Sequence, residues 1–201
     1  MRYILLDKIC DIRKSIDSKC FLSALALALT IPNICGRVKY KNIVDENSKK
    51  YEDKTSYELW FNEYIYEPDR YKGEFEEHYK GSGFDGAACY MLRCDFLHNG
   101  SSTIKSGDGR VMINRFELCI SGTEDCGVYA GANGIVTNNF GNSTIYHARV
   151  DIRALCNSIC DASEKFYNEI EDKSLFLDHS IKILNMEQEY EKLKRLGWPK
   201  I

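Results

Sequence analysis

The stretch Tyr90-Met91-Leu92-Arg93-Cys94-Asp95-Phe96-Leu97-His98-Asn99-Gly100 sets an arginine, a carboxylate and an imidazole in an apolar run that ends on a helix-stopping pair. Asp85 is a good N-cap for a helix over residues 87–98, and Asn99-Gly100 supplies its left-handed stop. On a wheel at about 100° per residue, Ala87, Ala88, Cys89, Met91, Leu92, Cys94 and Phe96 fill more than half the circle, which predicts a largely buried helix. Asp95 and His98 fall inside that apolar arc, one turn apart, so the carboxylate is placed to orient the imidazole. Arg93 lies about 140° from His98 on the same wheel. Buried charges require partners. Two arrangements supply them: a core network with Asp95 on His98 and Arg93 bridged to a distant carboxylate, or a second copy of the helix across a two-fold axis.

Upstream, residues 2–16 read as a first helix. Ser18 is placed to cap a second that carries the apolar run from Cys20 until Pro32 stops it, and Gly36 then closes a turn. Residues 37–54, with Lys39, Lys41, Lys49 and Lys50, read as a solvated loop. Thr55 and Glu58 form a capping box, followed by Tyr57, Trp60, Phe61 and Tyr64 at helical spacing. Such a stripe packs a core or stacks on unpaired bases, and core packing is the commoner use. Pro68 marks its exit, and Gly81-Ser82-Gly83 is a hinge before the motif helix.

Downstream, residues 101–150 turn rich in Gly and Asn between short β-favouring runs, Val111 to Ile120, Ile135 to Thr137 and Thr144 to Val150, predicting a small antiparallel insertion. Asp151 caps a helix in which Ile152, Leu155, Ile159, Ala162 and Phe166 repeat every three to four residues. A last helix is expected over Ser180 to Leu196. The chain therefore reads as mainly α, a bundle of four to five helices in a single domain over residues 1–201 with a β-rich insertion at 101–150.

With 44% apolar and 28% charged residues the 201-residue chain has the composition of a globular protein. Its net charge of −3 gives no global basic field, so any contact with nucleic acid has to be local. Nine cysteines form an odd set without a CxxC pair and read as reduced thiols, Cys156 and Cys160 as packing residues. The run Cys20 to Ile31 is too short to span a bilayer, and Asp7, Asp11 and Asp17 before it are unlike an export leader; no membrane association and a cytoplasmic location are expected. His78, His98, His147 and His179 are scattered without metal-site spacing. Gly131-Ala-Asn-Gly134 and Gly107-Asp-Gly109 read as turns rather than phosphate loops. Neither a metal nor a cofactor is expected.

The Tyr90–Gly100 segment, with Arg93, four residues and then His98 at a helix end, resembles the motif helix of bacterial HEPN-domain ribonucleases; Ile31-Pro32-Asn33-Ile34-Cys35-Gly36 is similar to bacterial relatives as well. The resemblance implies a helical bundle, a homodimer whose two motif helices face a shared cleft, and metal-independent RNA cleavage. It assigns Arg93 to the scissile phosphate and His98 to proton transfer, with Tyr90, Asp95 and Asn99 in support. Cys94 follows Arg93, where family members commonly carry a polar residue, often Asn. The implied setting is a toxin or phage-defence effector, with an antitoxin or nucleotidyltransferase as partner. The alternative is a catalytically silent HEPN-like module that binds a nucleotide, RNA or protein in the same cleft.

Overall fold

The structure is a computed structural model that describes residues 2–44, 51–67, 84–100, 115–120, 131–137 and 144–196. It is mainly helical, as the sequence predicts. In chain order it runs β1 (Arg2–Tyr3), α1 (Leu5–Asp17), α2 (Phe21–Ala28), α3 (Ile31–Lys39) and α4 (Asp53–Phe61), which continues as a π-helical turn over Asn62–Tyr66. Then come α5 (Gly86–Asn99), β2 (Arg115–Cys119), β3 (Gly131–Thr137), β4 (Thr144–Asp151), α6 (Ile152–Glu169), a 3-10 turn (Lys173–His179), β5 (Ile181–Lys182) and α7 (Met186–Arg195).

Two of the predicted caps form, at Asp85 and Asp151. The Asp85 side chain accepts from the Ala88 N–H, and the Asp151 side chain accepts from the Ala154 N–H, each at 2.9 Å. Gly100 takes the left-handed conformation at φ 59° and closes α5 through its N–H to the Asp95 carbonyl.

Several boundaries differ from the sequence expectation. The first helix begins only at Leu5, because residues 2–3 pair with β5 and Asp7 reaches back to accept from the Ile4 N–H at 2.9 Å. Ser18 ends α1 instead of opening α2, which starts after Cys20. Pro32 does not stop a helix: the break falls at Leu29-Thr30 and Pro32 sits in the first turn of α3, where its missing N–H has no partner to lose. Gly36 is inside α3 because that helix lies hard against α4; a Cβ there would meet the Ser56 carbonyl oxygen at 2.5 Å. The segment read as a solvated loop is helical to Lys39 and again from Asp53, so the capping box at Thr55 and Glu58 lies inside α4. Arg37 ties the two helices together through two bonds to Asp53, at 2.5 and 2.6 Å. The last helix is shorter than expected, since Ile181 and Lys182 are strand and Asn185 caps α7.

The sheet is mixed, not antiparallel throughout. Its order is β2-β4-β3, with β3 antiparallel to β4 and β2 parallel to β4, Phe116 opposite Ala148. The chain between β2 and β4 is long enough for the crossover that a parallel pair requires. Gly131 to Gly134, expected as a turn, opens β3 and carries a register shift there. The hinge at 81–83 and Pro68 lie outside the described residues.

The core is contiguous from α1 to the 3-10 turn. Tyr57, Trp60 and Phe61 are fully buried, so these three rings of the aromatic stripe are core and closed to a base, while Tyr64 in the π-helical turn is partly buried. Trp60 stacks on Tyr64 with centroids at 5.3 Å and meets Phe166 of α6 edge-on at 6.1 Å. All five predicted positions of α6 from Ile152 to Phe166 are buried. The stretch Phe21–Lys39 is long and apolar enough to cross a membrane by length and composition, but 56% of its most apolar window is buried within the protein and it is broken into α2 and α3. It serves as core.

Candidate functional site

The motif helix α5 rests on α4 through glycine. A Cβ on Gly86 would lie 2.3 Å from the Glu58 carbonyl oxygen, and the Gly86 N–H donates to Asn62 Oδ1 at 2.7 Å. Ala88, Cys89 and Leu92 are then buried against the core, and the Tyr57 hydroxyl lies 3.3 Å from Cys89 Sγ. Burial raises the Cys89 thiol to about 12. That much matches the wheel.

The C-terminal half of α5 departs from it. From Tyr90 to Leu97, Leu92 alone is buried while its neighbours are half-exposed, and His98 and Asn99 are exposed. Tyr90, Met91 and Phe96 still pack against the core from this half, partly buried. The expectation of a largely buried helix holds for its N-terminal half only.

The expected site residues are consequently arranged differently from a core network. Asp95 Oδ1 accepts from Asn99 Nδ2 at 3.0 Å, and among the described residues no hydrogen bond or ion pair joins Asp95 to His98. His98 stands in the last turn of α5, where the unpaired carbonyls favour a positive charge. Among the described residues Arg93 makes no ion pair with a carboxylate. Its Nη1 lies 3.8 Å from Cys94 Sγ, its Nε is buried without a hydrogen-bond partner, and its Cζ stands 5.6 Å from the centre of the Tyr90 ring.

Tyr90 organises this half of the helix. Its ring meets Tyr57 edge-on at 5.3 Å, and Lys54 Nζ from α4 stands 6.0 Å from its centre. Burial pushes the Tyr90 phenol above its ordinary value; Cys94 adds to the rise and Arg93 opposes it. Two cations from two helices thus approach one ring. Lys54 is the residue that sequence reasoning missed. It falls in a segment read as loop, and no local spacing links residue 54 to residue 93; the folding of α4 against α5 does.

Comparison with protein-family models, with curated proteins and with solved structures found no match. What the site can do therefore rests on its own chemistry. It offers a fixed guanidinium with unused donor capacity and an exposed imidazole that can take or give a proton; Lys54, beside the same ring, is paired with Glu58 at 4.0 Å. Among the described residues no group of three or more His, Cys, Asp or Glu comes together to hold a metal ion. Within one chain, Arg93 and His98 are separated by roughly 7 Å of helix rise and about 140° of rotation. Cys156 and Cys160 are both buried, and burial raises both thiols, which fits packing residues.

The sheet that follows the motif helix is rooted away from His98. Phe116 of β2 is fully buried and meets Phe84 edge-on at 5.9 Å, next to the N-terminus of α5. That is about 20 Å in helix rise from His98. Residues 101–114, which connect His98 to β2, lie outside the described residues.

Proposed function

We propose that this protein is a metal-independent endoribonuclease of the HEPN type, a cytoplasmic toxin or phage-defence effector that works as a homodimer. The supporting observation is the state of Arg93: a guanidinium with a buried, unpartnered Nε, held over Tyr90 on the same helix as an exposed imidazole. A cation kept without a carboxylate is suited to a phosphate that arrives with the substrate. A core network would pair Asp95 with His98 and Arg93 with a distant carboxylate, and among the described residues neither pairing is present.

The reaction follows from the groups present. Arg93 binds the scissile phosphate and stabilises charge as it builds on the non-bridging oxygens. His98 accepts the proton of the substrate 2′-OH, whose oxygen attacks phosphorus as the bond to the 5′-oxygen breaks; an imidazolium returns a proton to that leaving oxygen. The products are a 2′,3′-cyclic phosphate and a 5′-hydroxyl. The rotation between Arg93 and His98 assigns the two roles to different copies across a two-fold axis. The half-exposed Tyr90, Met91, Phe96 and Leu97 on α5 give that contact its apolar surface. An antitoxin or nucleotidyltransferase would act by covering it.

The test is cleavage of matched RNA and DNA strands by the parent and two variants. RNA alone should be cut, and EDTA should make no difference. His98→Ala should lose proton transfer, about 10²–10⁴-fold in rate. Arg93→Ala should lose charge stabilisation, on the order of 10²–10³-fold. Parent-like cleavage by both variants would remove Arg93 and His98 from the chemistry, and absence of cleavage by the parent would leave the silent-module reading in place.

A further inference from the structure

The helix α7 has no buried residue, although Met186, Tyr190 and Leu193 fall at i, i+4 and i+7 on one face. Met186 is 71% exposed, Leu193 42% and Leu196 75%, and the approach to the helix adds exposed Ile181 and Leu184. Among the described residues, exposed large apolar side chains concentrate on this short segment, whereas single scattered ones are normal. The charges of α7 are segregated along its length: Glu187, Glu189 and Glu191 precede Lys192, Lys194 and Arg195. Such an order complements the helix's own dipole, and the pairs Lys192–Glu189 at 2.7 Å and Lys194–Glu191 at 3.6 Å use part of it. Neither covers the apolar stripe.

We propose that α7 is a self-association surface that pairs antiparallel with α7 of a second copy of this chain. On a wheel at about 100° per residue, Glu187 and Lys194 flank the stripe on one side, Glu189 and Lys192 on the other. In an antiparallel pair each flank meets the same flank of the other copy. One register, centred between Tyr190 and Glu191, sets Glu187 against Lys194 and Glu189 against Lys192 of the other copy at both ends at once. The stripes of Met186, Tyr190 and Leu193 then close on each other. A two-fold axis perpendicular to the helices relates the copies in this antiparallel, self-complementary arrangement, whereas a parallel pair in register would set Glu against Glu and Lys against Lys. An anionic membrane is a poorer occupant, because the three acidic and three basic residues cancel and the polar face is not basic. This inference does not depend on the ribonuclease reading, and the contact is separate from the one assigned to α5.

The test uses the full chain at roughly 100 µM, where a modest interface associates, and reads mass by light scattering. The variants are Leu193→Glu, Glu187→Lys, Lys194→Glu, and an equimolar mixture of the last two. Because α7 buries nothing within one chain, all should keep the parent's circular dichroism and a cooperative melt, less only the stabilisation that association itself supplies. The parent should show about twice the mass of Leu193→Glu, each charge variant should fall toward the lower mass, and the mixture should recover the parent's mass, since both crossed contacts become attractive. An α5 contact would be common to every sample, so a parent mass at least twice that of Leu193→Glu still reports α7. Equal masses for parent and Leu193→Glu, or a mixture that stays low, overturns the proposal. So does loss of binding to phosphatidylserine vesicles by Leu193→Glu with no change in mass, which would assign the stripe to a membrane surface.

Discussion

Replacing Arg93 by Met keeps the aliphatic stem and removes the guanidinium, and the structure gives opposite signs for stability and activity. The stabilising interaction lost is the contact with Tyr90 at 5.6 Å, worth about 0.5–1 kcal/mol at a half-exposed site. The Nη1 contact with Cys94 at 3.8 Å is to a weak sulfur partner and adds little. Against this, the buried Nε has no partner, and such a group carries a desolvation penalty of about 1–3 kcal/mol that the substitution removes. Methionine refills the stem volume. The balance runs from neutral to roughly 2 kcal/mol of added stability. In a chain of 201 residues each kcal/mol shifts Tm by about 2–4 °C. Thermal melts followed by circular dichroism should therefore show Tm unchanged or raised by several degrees, while RNA cleavage falls on the order of 10²–10³-fold. A Tm lowered by more than about 4 °C would mean that Arg93 supports the core, and the assignment of its spare donor to a substrate phosphate would fail.

Gly86→Ala drives a Cβ to within 2.3 Å of backbone at Glu58, which cannot swing aside; overpacking of about 1–3 kcal/mol exceeds the gain in helix propensity, at most about 1 kcal/mol. Melts should show Tm lowered by several degrees, and an unchanged Tm would contradict the close contact of α5 with α4. Cys35, Cys89, Cys156 and Cys160 are buried and their thiols raised by that burial; mass spectrometry after brief maleimide treatment at pH 7 should find Cys10 and Cys20 modified and these four intact. Labelling of any of the four in the native protein would place that thiol outside the core. His179 titrates below its ordinary 6.5, first through burial and then through Arg37, with Lys8 also contributing. The unfolded chain then binds the proton more tightly, so stability falls as pH drops below about 6.5 toward the lower folded value. Denaturant melts between pH 7.5 and 5.5 should show that slope for the parent and a flatter one for His179→Gln; equal slopes would remove His179 as its source.

The helical character of the chain was legible because its strongest signals are local. Asp85, Asp151 and Gly100 act as the caps and stop their residue types predict, and the 3–4 spacing in α6 marks its buried face. What the sequence concealed depends on distant contacts. Gly36 looks like a turn until α4 is packed against it, and Pro32 looks like a stop until the break at Leu29-Thr30 makes it a first-turn residue. At the site, the wheel separated Arg93 from His98 but could not show which parts of α5 other elements cover. In the fold His98 is exposed, Asp95 accepts from Asn99, and Lys54 of α4 stands by the ring of Tyr90.

The most direct measurement is the chemistry of the cut ends. A guanidinium and an imidazole acting without a metal-generated hydroxide require the 2′-OH as nucleophile. Mass spectrometry of the fragments from an RNA oligonucleotide treated with the parent protein in EDTA should show 2′,3′-cyclic phosphates opposite 5′-hydroxyls. A strand carrying a single 2′-deoxy residue should resist cleavage at that linkage. Fragments bearing 5′-phosphates, or cutting at the 2′-deoxy linkage, would contradict the assignment of Arg93 and His98.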